Sequence, residues 1–153
     1  MRRIEYIAMN KVDPGQLLSL LNKDSVRKHL MNHQIFDKES LKSWLQEKIE
    51  VDSTRGCRVR AIVFDKRCVG WCGIQQDGGE YEIAVVLDDT HWGLGREIFR
   101  ELMTWAKELG HQTVSIHFLH TRPQYKFLRK IANSVYESEI MANKFTTYRL
   151  SVD

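Results

Sequence analysis

One segment narrows the folds open to this chain more than any other: a strand, a short loop, two glycines and an amphipathic helix in immediate succession. Tyr81–Leu87 is an apolar run of strand length, Asp88–Trp92 forms a loop, and Gly93 and Gly95 stand at the mouth of a helix. That helix, about Arg96 to Leu109, carries Ile98, Phe99, Leu102, Met103, Trp105, Ala106 and Leu109 on one broad side and meets Gly110 where a C-terminal cap belongs. A helix N-terminus offers unpaired N–H groups and a positive dipole end, and glycines there let a ligand approach the backbone. The arrangement suits a phosphate or pyrophosphate. A bare glycine pair before a helix also serves as an ordinary tight turn.

Two familiar phosphate loops do not fit. A P-loop needs a Lys-Ser or Lys-Thr pair after its second glycine, where this chain has Arg96 and Glu97. A dinucleotide-binding turn needs a third glycine three positions after the second, where Ile98 stands.

The 153 residues are enough for one domain with a real core. A net charge of +3 permits an acidic ligand or nucleic acid but shows neither. Cys57, Cys68 and Cys72 are an odd number, which with no recognisable signal peptide predicts a reduced, cytoplasmic setting. No apolar run approaches the roughly 18 residues of a membrane span.

Around the central segment the pattern predicts a mixed α/β domain. Ile4–Ala8 reads as a strand closed by a turn at Asp13, Pro14 and Gly15, followed by a short helix through Leu17–Leu21. Ser25–Met31 reads as a further helical piece, and Asp37 to Glu50 as a stronger helix with Leu41, Trp44, Leu45 and Ile49 at helical spacing. Arg58–Phe64, Cys68–Gln75 and Tyr81–Leu87 follow as hairpin-linked strands, the second hairpin turning at Gly78 and Gly79. Thr113–Leu119 is a strand, Tyr125–Ile131 an amphipathic helix entered at Pro123, and Val135–Met141 and Phe145–Val152 close the chain as strands. A meander followed by strand, helix and strand gives a mixed, mostly antiparallel sheet with helices on both faces.

The glycine loop resembles the coenzyme A loop of the GNAT-type N-acetyltransferases, Arg/Gln-x-x-Gly-x-Gly/Ala, with Thr90 at the Arg/Gln position and Gly93 and Gly95 at the small ones. Thr90 lacks the positive charge of that position, and Arg96 is the nearest cation to replace it. The order of elements is also that of the GNAT fold. Within the superfamily the chain looks most like the branch of the ribosomal-protein N-terminal acetyltransferases. Val69–Ile74 resembles that branch's third strand. Thr121, Gln124, Phe127, Leu128, Arg129, Lys130 and Ala132 fall on its later motif, with Leu128 and Lys130 identical.

The resemblance implies an acetyl-CoA-dependent N-acetyltransferase acting by direct attack of a primary amine in a ternary complex, with no metal. The acceptor would be a protein N-terminus, a lysine or a small amine, and the enzyme a monomer or homodimer. Val85, Val86 and Leu87 would meet the pantetheine arm, while His91, Trp92, Gly93, Leu94, Gly95 and Arg96, with Thr121, would hold the rest of the cofactor. Glu82, which shares a strand face with Glu80, is the first choice for the base that neutralises the amine; His117 and His120 are the others. The wider superfamily often has a tyrosine at the Leu128 position to protonate the departing thiolate. Here Tyr125, one turn earlier, is the nearest phenol. Two other readings stay open, a non-catalytic acyl-CoA-binding module and a toxin-type acetyltransferase acting on aminoacyl-tRNA.

The remaining reactive side chains read as structural. His29 and His33 have i,i+4 spacing without the Glu of a metalloprotease helix. Cys68 and Cys72 read as thiols on one strand face lacking the partners of a closed zinc site. Trp44, Trp71 and Trp105 read as core, and Trp92 as a residue shaping the groove.

Overall fold

The computed structural model describes residues 3–27, 35–119, 126–140 and 143–152. Seven strands form one mixed sheet: β1 (Ile4–Ala8), β2 (Arg58–Phe64), β3 (Arg67–Asp77), β4 (Glu80–Leu87), β5 (Thr113–Leu119), β6 (Ser134–Ile140) and β7 (Asn143–Ser151). They lie in the order β1-β2-β3-β4-β5-β7-β6, antiparallel throughout except for the parallel pair β4–β5. The helices are α1 (Pro14–Asn22), α2 (Asp24–Arg27), α3 (Lys38–Asp52), α4 (Gly95–Glu108) and α5 (Lys126–Ile131).

Each face of the sheet has its own core. On one side α1 and α3 bury Leu17, Leu20, Leu21 and Leu41 against Val59, Ala61, Trp71 and Val86. On the other, α4 and α5 bury Ile98, Leu102 and Leu128 against Ile74, Ile83, Val114, Ile116 and Tyr148. Each fully buried aliphatic side chain contributes about 1.5–3 kcal/mol. Among the described residues the sheet side of the α1–α3 core is drawn from β1–β4, and Ser115 and Thr147 are buried polar side chains on β5 and β7.

Local chemistry explains the element ends. The expected turn at Asp13, Pro14 and Gly15 is instead a helix start. The Asp13 carboxylate accepts from the N–H groups of Gly15 and Gln16, and Pro14 opens α1, where its missing N–H costs nothing. Asp37 caps α3 in a reciprocal box with Ser40. Gly78 and Gly79 both take positive φ, as a tight hairpin with the twist of its strands requires. The β2–β3 hairpin does the same with Asp65 and Lys66, at φ of 54° and 67°, without a glycine. Of the helical stretch expected over Ser25–Met31, α2 occupies the first part; residues 28–31 lie outside the described ones.

One strand expectation fails. The β2–β3 register shifts between Ile62, opposite Gly70, and Val63, opposite Cys68, leaving Val69 as an extra residue. A bulge inverts side-chain parity beyond it. Cys68 therefore packs on the α1 side while Cys72 is buried under α4, and the two thiols do not share a face.

Candidate active site

The parallel strands β4 and β5 touch only briefly. Their register consists of Glu82 opposite Ser115 and Ile83 opposite Ile116, although β4 stays paired to β3 as far as Leu87. Beyond Ile83 the two strands part. The sheet is split there.

Behind the split, on the α4–α5 face, lies a narrow apolar cleft walled by Val85, Ile116, Phe118, Phe99, Phe127 and Leu128, with Gly95 at its rim. Phe99 and Phe127 meet edge to face, 5.3 Å between ring centroids. The Arg96 guanidinium stands 5.3 Å from the Phe127 ring, which places a cation at the mouth of the cleft. The segment leading into α4 is not the open loop that the sequence pattern suggests. Asp89–Leu94 is a 3₁₀ turn that runs directly into the helix. The Asp88 carboxylate accepts from the Thr90 N–H, and its carbonyl from the His91 N–H at 2.8 Å. Gly95 is right-handed, at φ −57°. Glycine is therefore not needed there for a left-handed turn. A Cβ added at Gly93 would meet nothing within 4 Å, so the space beside it is open to a ligand. Trp92 is pinned by its indole N–H donating to the Leu87 carbonyl. A larger polar hollow, about 450 Å³, lies between α1 and the Asp88 end of β4. Its Lys23 is engaged by Asp88 at 2.8 Å and by Asp89 at 3.6 Å.

In front of the split, on the other face, polar groups converge. His117 Nε2 lies 3.7 Å from Glu82 Oε2 and 3.8 Å from Asp77 Oδ2, while Nδ1 is 2.7 Å from Thr147 Oγ1. The Glu82 side chain is 27% exposed, and burial, reinforced by the negative charge of Asp77 and eased by Lys48, raises its pKa from 4.5 to about 7. Burial lowers the His117 pKa against the pull of Asp77 and Glu80, which favours a neutral imidazole at pH 7. Burial also lowers the Lys48 pKa; its ammonium lies 4.6 Å from the centre of the Trp71 ring and donates to the Gln75 side chain. Donor atoms of Asp77, Glu82 and His117 all lie within 4.8 Å of one another. Such a cluster holds a proton near neutral pH and can exchange it with a neighbouring amine.

Of the residues singled out from sequence, Glu82 and His117 come together, joined by Asp77, which sequence reasoning missed. Glu80 shares their face but is ion-paired to Arg149. Val85 faces the cleft, Val86 and Leu87 are buried on opposite faces of β4, and Trp92 and Leu94 pack against the α4-side core. His120, Thr121, Gln124 and Tyr125 lie outside the described residues, as do His29 and His33. Leu128 is buried and apolar, 1% exposed. Asp77 was detectable in principle, since two-residue hairpin pairing puts it opposite Glu80 on the same face.

Comparison with known proteins agrees with this fold. Residues 3–124 match the acetyltransferase (GNAT) domain family. No curated protein matches the chain significantly. Among solved structures, an N-acetyltransferase from Staphylococcus aureus superposes with a TM-score of 0.74 at 12% identity, covering 100% of this chain and 99% of that one. An acetyltransferase of the GNAT family from Streptococcus pneumoniae gives 0.67 at 13% identity, covering 99% of this chain and 100% of that one. The microcin C7 self-immunity acetyltransferase MccE, solved with acetyl-CoA and AMP, gives 0.72 at 12% identity, covering 99% and 92%. Likeness at these identities establishes the fold. The chain belongs to the GNAT acetyltransferase family, and the domain match rather than the distant structural neighbours carries that statement. The matches give no support to the ribosomal-protein N-terminal acetyltransferase branch.

Proposed function

We propose that this protein is an acetyl-CoA-dependent N-acetyltransferase that joins its two substrates through the split between β4 and β5. The observation that carries the reading is the two-pair β4–β5 register, with an apolar cleft on one face and the Glu82–His117–Asp77 cluster on the other. That geometry suits a pantetheine arm entering from behind and an amine arriving from in front. The open space at Gly93, the α4 N-terminus and the Arg96 cation fit a pyrophosphate, with His91–Arg96 as its cradle. Thr121 belongs to this assignment from the family pattern.

Glu82 takes the proton from the incoming ammonium, either directly or with His117, and so frees the neutral amine to attack, because its raised pKa matches working pH. Backbone N–H groups of β4 beyond Ile83 are the natural donors for the oxyanion that develops as the amine attacks. Tyr125 is the proposed proton donor to the departing thiolate. The non-catalytic alternative leaves this cluster without a purpose. The aminoacyl-tRNA alternative sits poorly with Asp77, Glu80 and Glu82 on the approach to the split, since nucleic acid is drawn by basic surfaces.

The test is thiol release from acetyl-CoA against a panel of amines, with acetyl-CoA affinity measured by calorimetry. Gly93→Asp is expected to leave the fold intact and weaken acetyl-CoA binding about tenfold or more, because it sets a like charge beside the phosphates. Unchanged affinity in that variant would displace the cofactor from this loop, and thioester binding without turnover on any amine would favour the non-catalytic module.

A further inference from the structure

His117 meets a different kind of partner at each of its two ring nitrogens. Thr147 stands directly opposite it across the β5–β7 pair, and Thr147 Oγ1 lies 2.7 Å from Nδ1. On the other side Nε2 faces Glu82 Oε2 at 3.7 Å and Asp77 Oδ2 at 3.8 Å. A neutral imidazole carries one ring proton, and these partners decide which nitrogen holds it.

Thr147 is fully buried, and the contact with His117 is the only side-chain hydrogen bond it makes among the described residues. A buried hydroxyl has a proton to give as well as lone pairs to offer, and leaving that proton without an acceptor is costly. A protonated Nδ1 would donate to Oγ1, and the Thr147 proton would then have no acceptor. A bare Nδ1 accepts from the hydroxyl, and both groups are satisfied. The carboxylates select the same tautomer. Among the described residues no N–H or O–H donates to the side chain of Glu82 or Asp77. A bare Nε2 would therefore set a third acceptor against two, whereas Nε2–H turns the positive edge of the ring toward them. Burial keeps a second proton off the ring against the pull of Asp77 and Glu80. Glu80 is itself taken up by Arg149, and Lys48 adds its positive charge near Glu82 from the α3 side. Both partners sit within paired strands, and a β-branched threonine has few rotamers, so the hydroxyl is a fixed reference for the ring.

Resting on the acetyltransferase reading above, we propose that Thr147 is a positioning residue: its hydroxyl donates to Nδ1 and holds His117 with Nε2–H aimed at Glu82, which leaves Glu82 as the one base of the site. With Nε2 already protonated, His117 offers an incoming amine no lone pair. Of the two routes for the proton, direct transfer to Glu82 is the one this tautomer allows. His117 then faces the newly charged or discharged carboxylate as a donor, and at 3.7 Å its support is electrostatic rather than a direct hydrogen bond.

The first measurement is long-range proton–nitrogen NMR on the protein without acetyl-CoA, at about pH 8 where an ordinary imidazole is neutral. The His117 signals are identified by their loss in His117→Gln. The proton is expected on Nε2, and a proton on Nδ1 would overturn the proposal without any variant at Thr147. The second measurement is thiol release with a primary amine across pH in Thr147→Val, which keeps the shape and removes the hydroxyl. The ring loses its reference, so kcat/KM should fall about tenfold and its acid limb should move up by about 0.5–1 in pH, with KM for acetyl-CoA within about twofold of wild type. Thr147→Ser keeps a hydroxyl and should return both the rate and the limb to near wild type. A folded Thr147→Val protein with an unmoved limb and kcat/KM within about twofold of wild type would overturn the proposal. So would a Thr147→Ser protein no better than Thr147→Val, which would mark a packing role. Absence of turnover on any amine would overturn the acetyltransferase reading and Thr147's part in the reaction with it, whichever tautomer the NMR shows.

Discussion

Replacing Glu82 with Gln separates the cost of this site from its use. The carboxyl sits against His117 and Asp77 with its pKa raised from 4.5 to about 7, chiefly by burial. Each pH unit of such a change corresponds to about 1.4 kcal/mol, so holding the charged form in the folded protein costs about 3 kcal/mol at pH 8 and above. The direction follows from proton counting. Between the two pKa values the folded state binds more protons than the unfolded state, so this group's contribution to stability falls as pH rises through that window. Below about pH 4.5 both states are protonated and the cost vanishes. Gln keeps the shape and carries no charge at any pH. Urea unfolding should therefore show the variant gaining about 2–4 kcal/mol over wild type at about pH 8.5, and almost nothing at about pH 4.5. Turnover should move oppositely, falling by about two to four orders of magnitude with acetyl-CoA affinity retained. The wild-type kcat/KM should rise with pH around an apparent value near 7 that belongs to the Glu82–His117–Asp77 group as a whole. A variant no more stable than wild type at the higher pH would refute the desolvation argument. Turnover within about threefold of wild type would move the base to His117 or to an ordered water.

Other outcomes follow from the same contacts. Asp77→Asn removes the negative charge that raises Glu82, so the acid limb of the pH–rate profile should shift to lower pH; an unmoved limb would mean that burial alone sets it. Gly73→Ala would place a Cβ 2.6 Å from the Arg58 carbonyl across β2, an overpacking expected to cost about 1–3 kcal/mol or more by urea unfolding. Tyr125→Phe keeps the ring and removes the proton. A large loss of turnover at unchanged acetyl-CoA affinity is expected, and unchanged turnover would leave the thiolate to depart without help from this phenol.

Much of the fold was readable from residue pattern because its signals are local. Apolar runs of strand length in Arg58–Phe64 and Tyr81–Leu87, the glycine pair at 78–79 and the cap at Gly110 each act over a few residues, and strand ends agreed within two positions. The bulge at Val69 was hidden because one extra residue in an apolar run leaves the run apolar. Only the pairing with β2 reveals it. The Asp65–Lys66 turn holds two side chains in a conformation usually left to glycine, so the sequence undersold it. In the site, Glu82 was legible from parity within its own strand. Asp77 and Lys48 were not singled out, because they arrive from a hairpin and from a helix 34 positions earlier. The glycine loop was found by its spacing, yet its 3₁₀ shape was not, since short polar stretches next to glycine are compatible with several turns.

The brief β4–β5 register has a mechanical consequence. Strands β1–β4 form one panel and β5–β7–β6 another, and the seam between them holds two registered residue pairs where the β3–β4 junction holds eight. A ligand threaded along that seam acts as a rivet: it adds bonds to both panels at the place where the sheet itself has few. Stabilisation by such a ligand grows with the logarithm of its concentration over its dissociation constant, about 2.7 kcal/mol at a hundredfold excess. The amides that gain most protection from exchange should then lie along the seam and in the smaller panel, rather than spread evenly over the molecule.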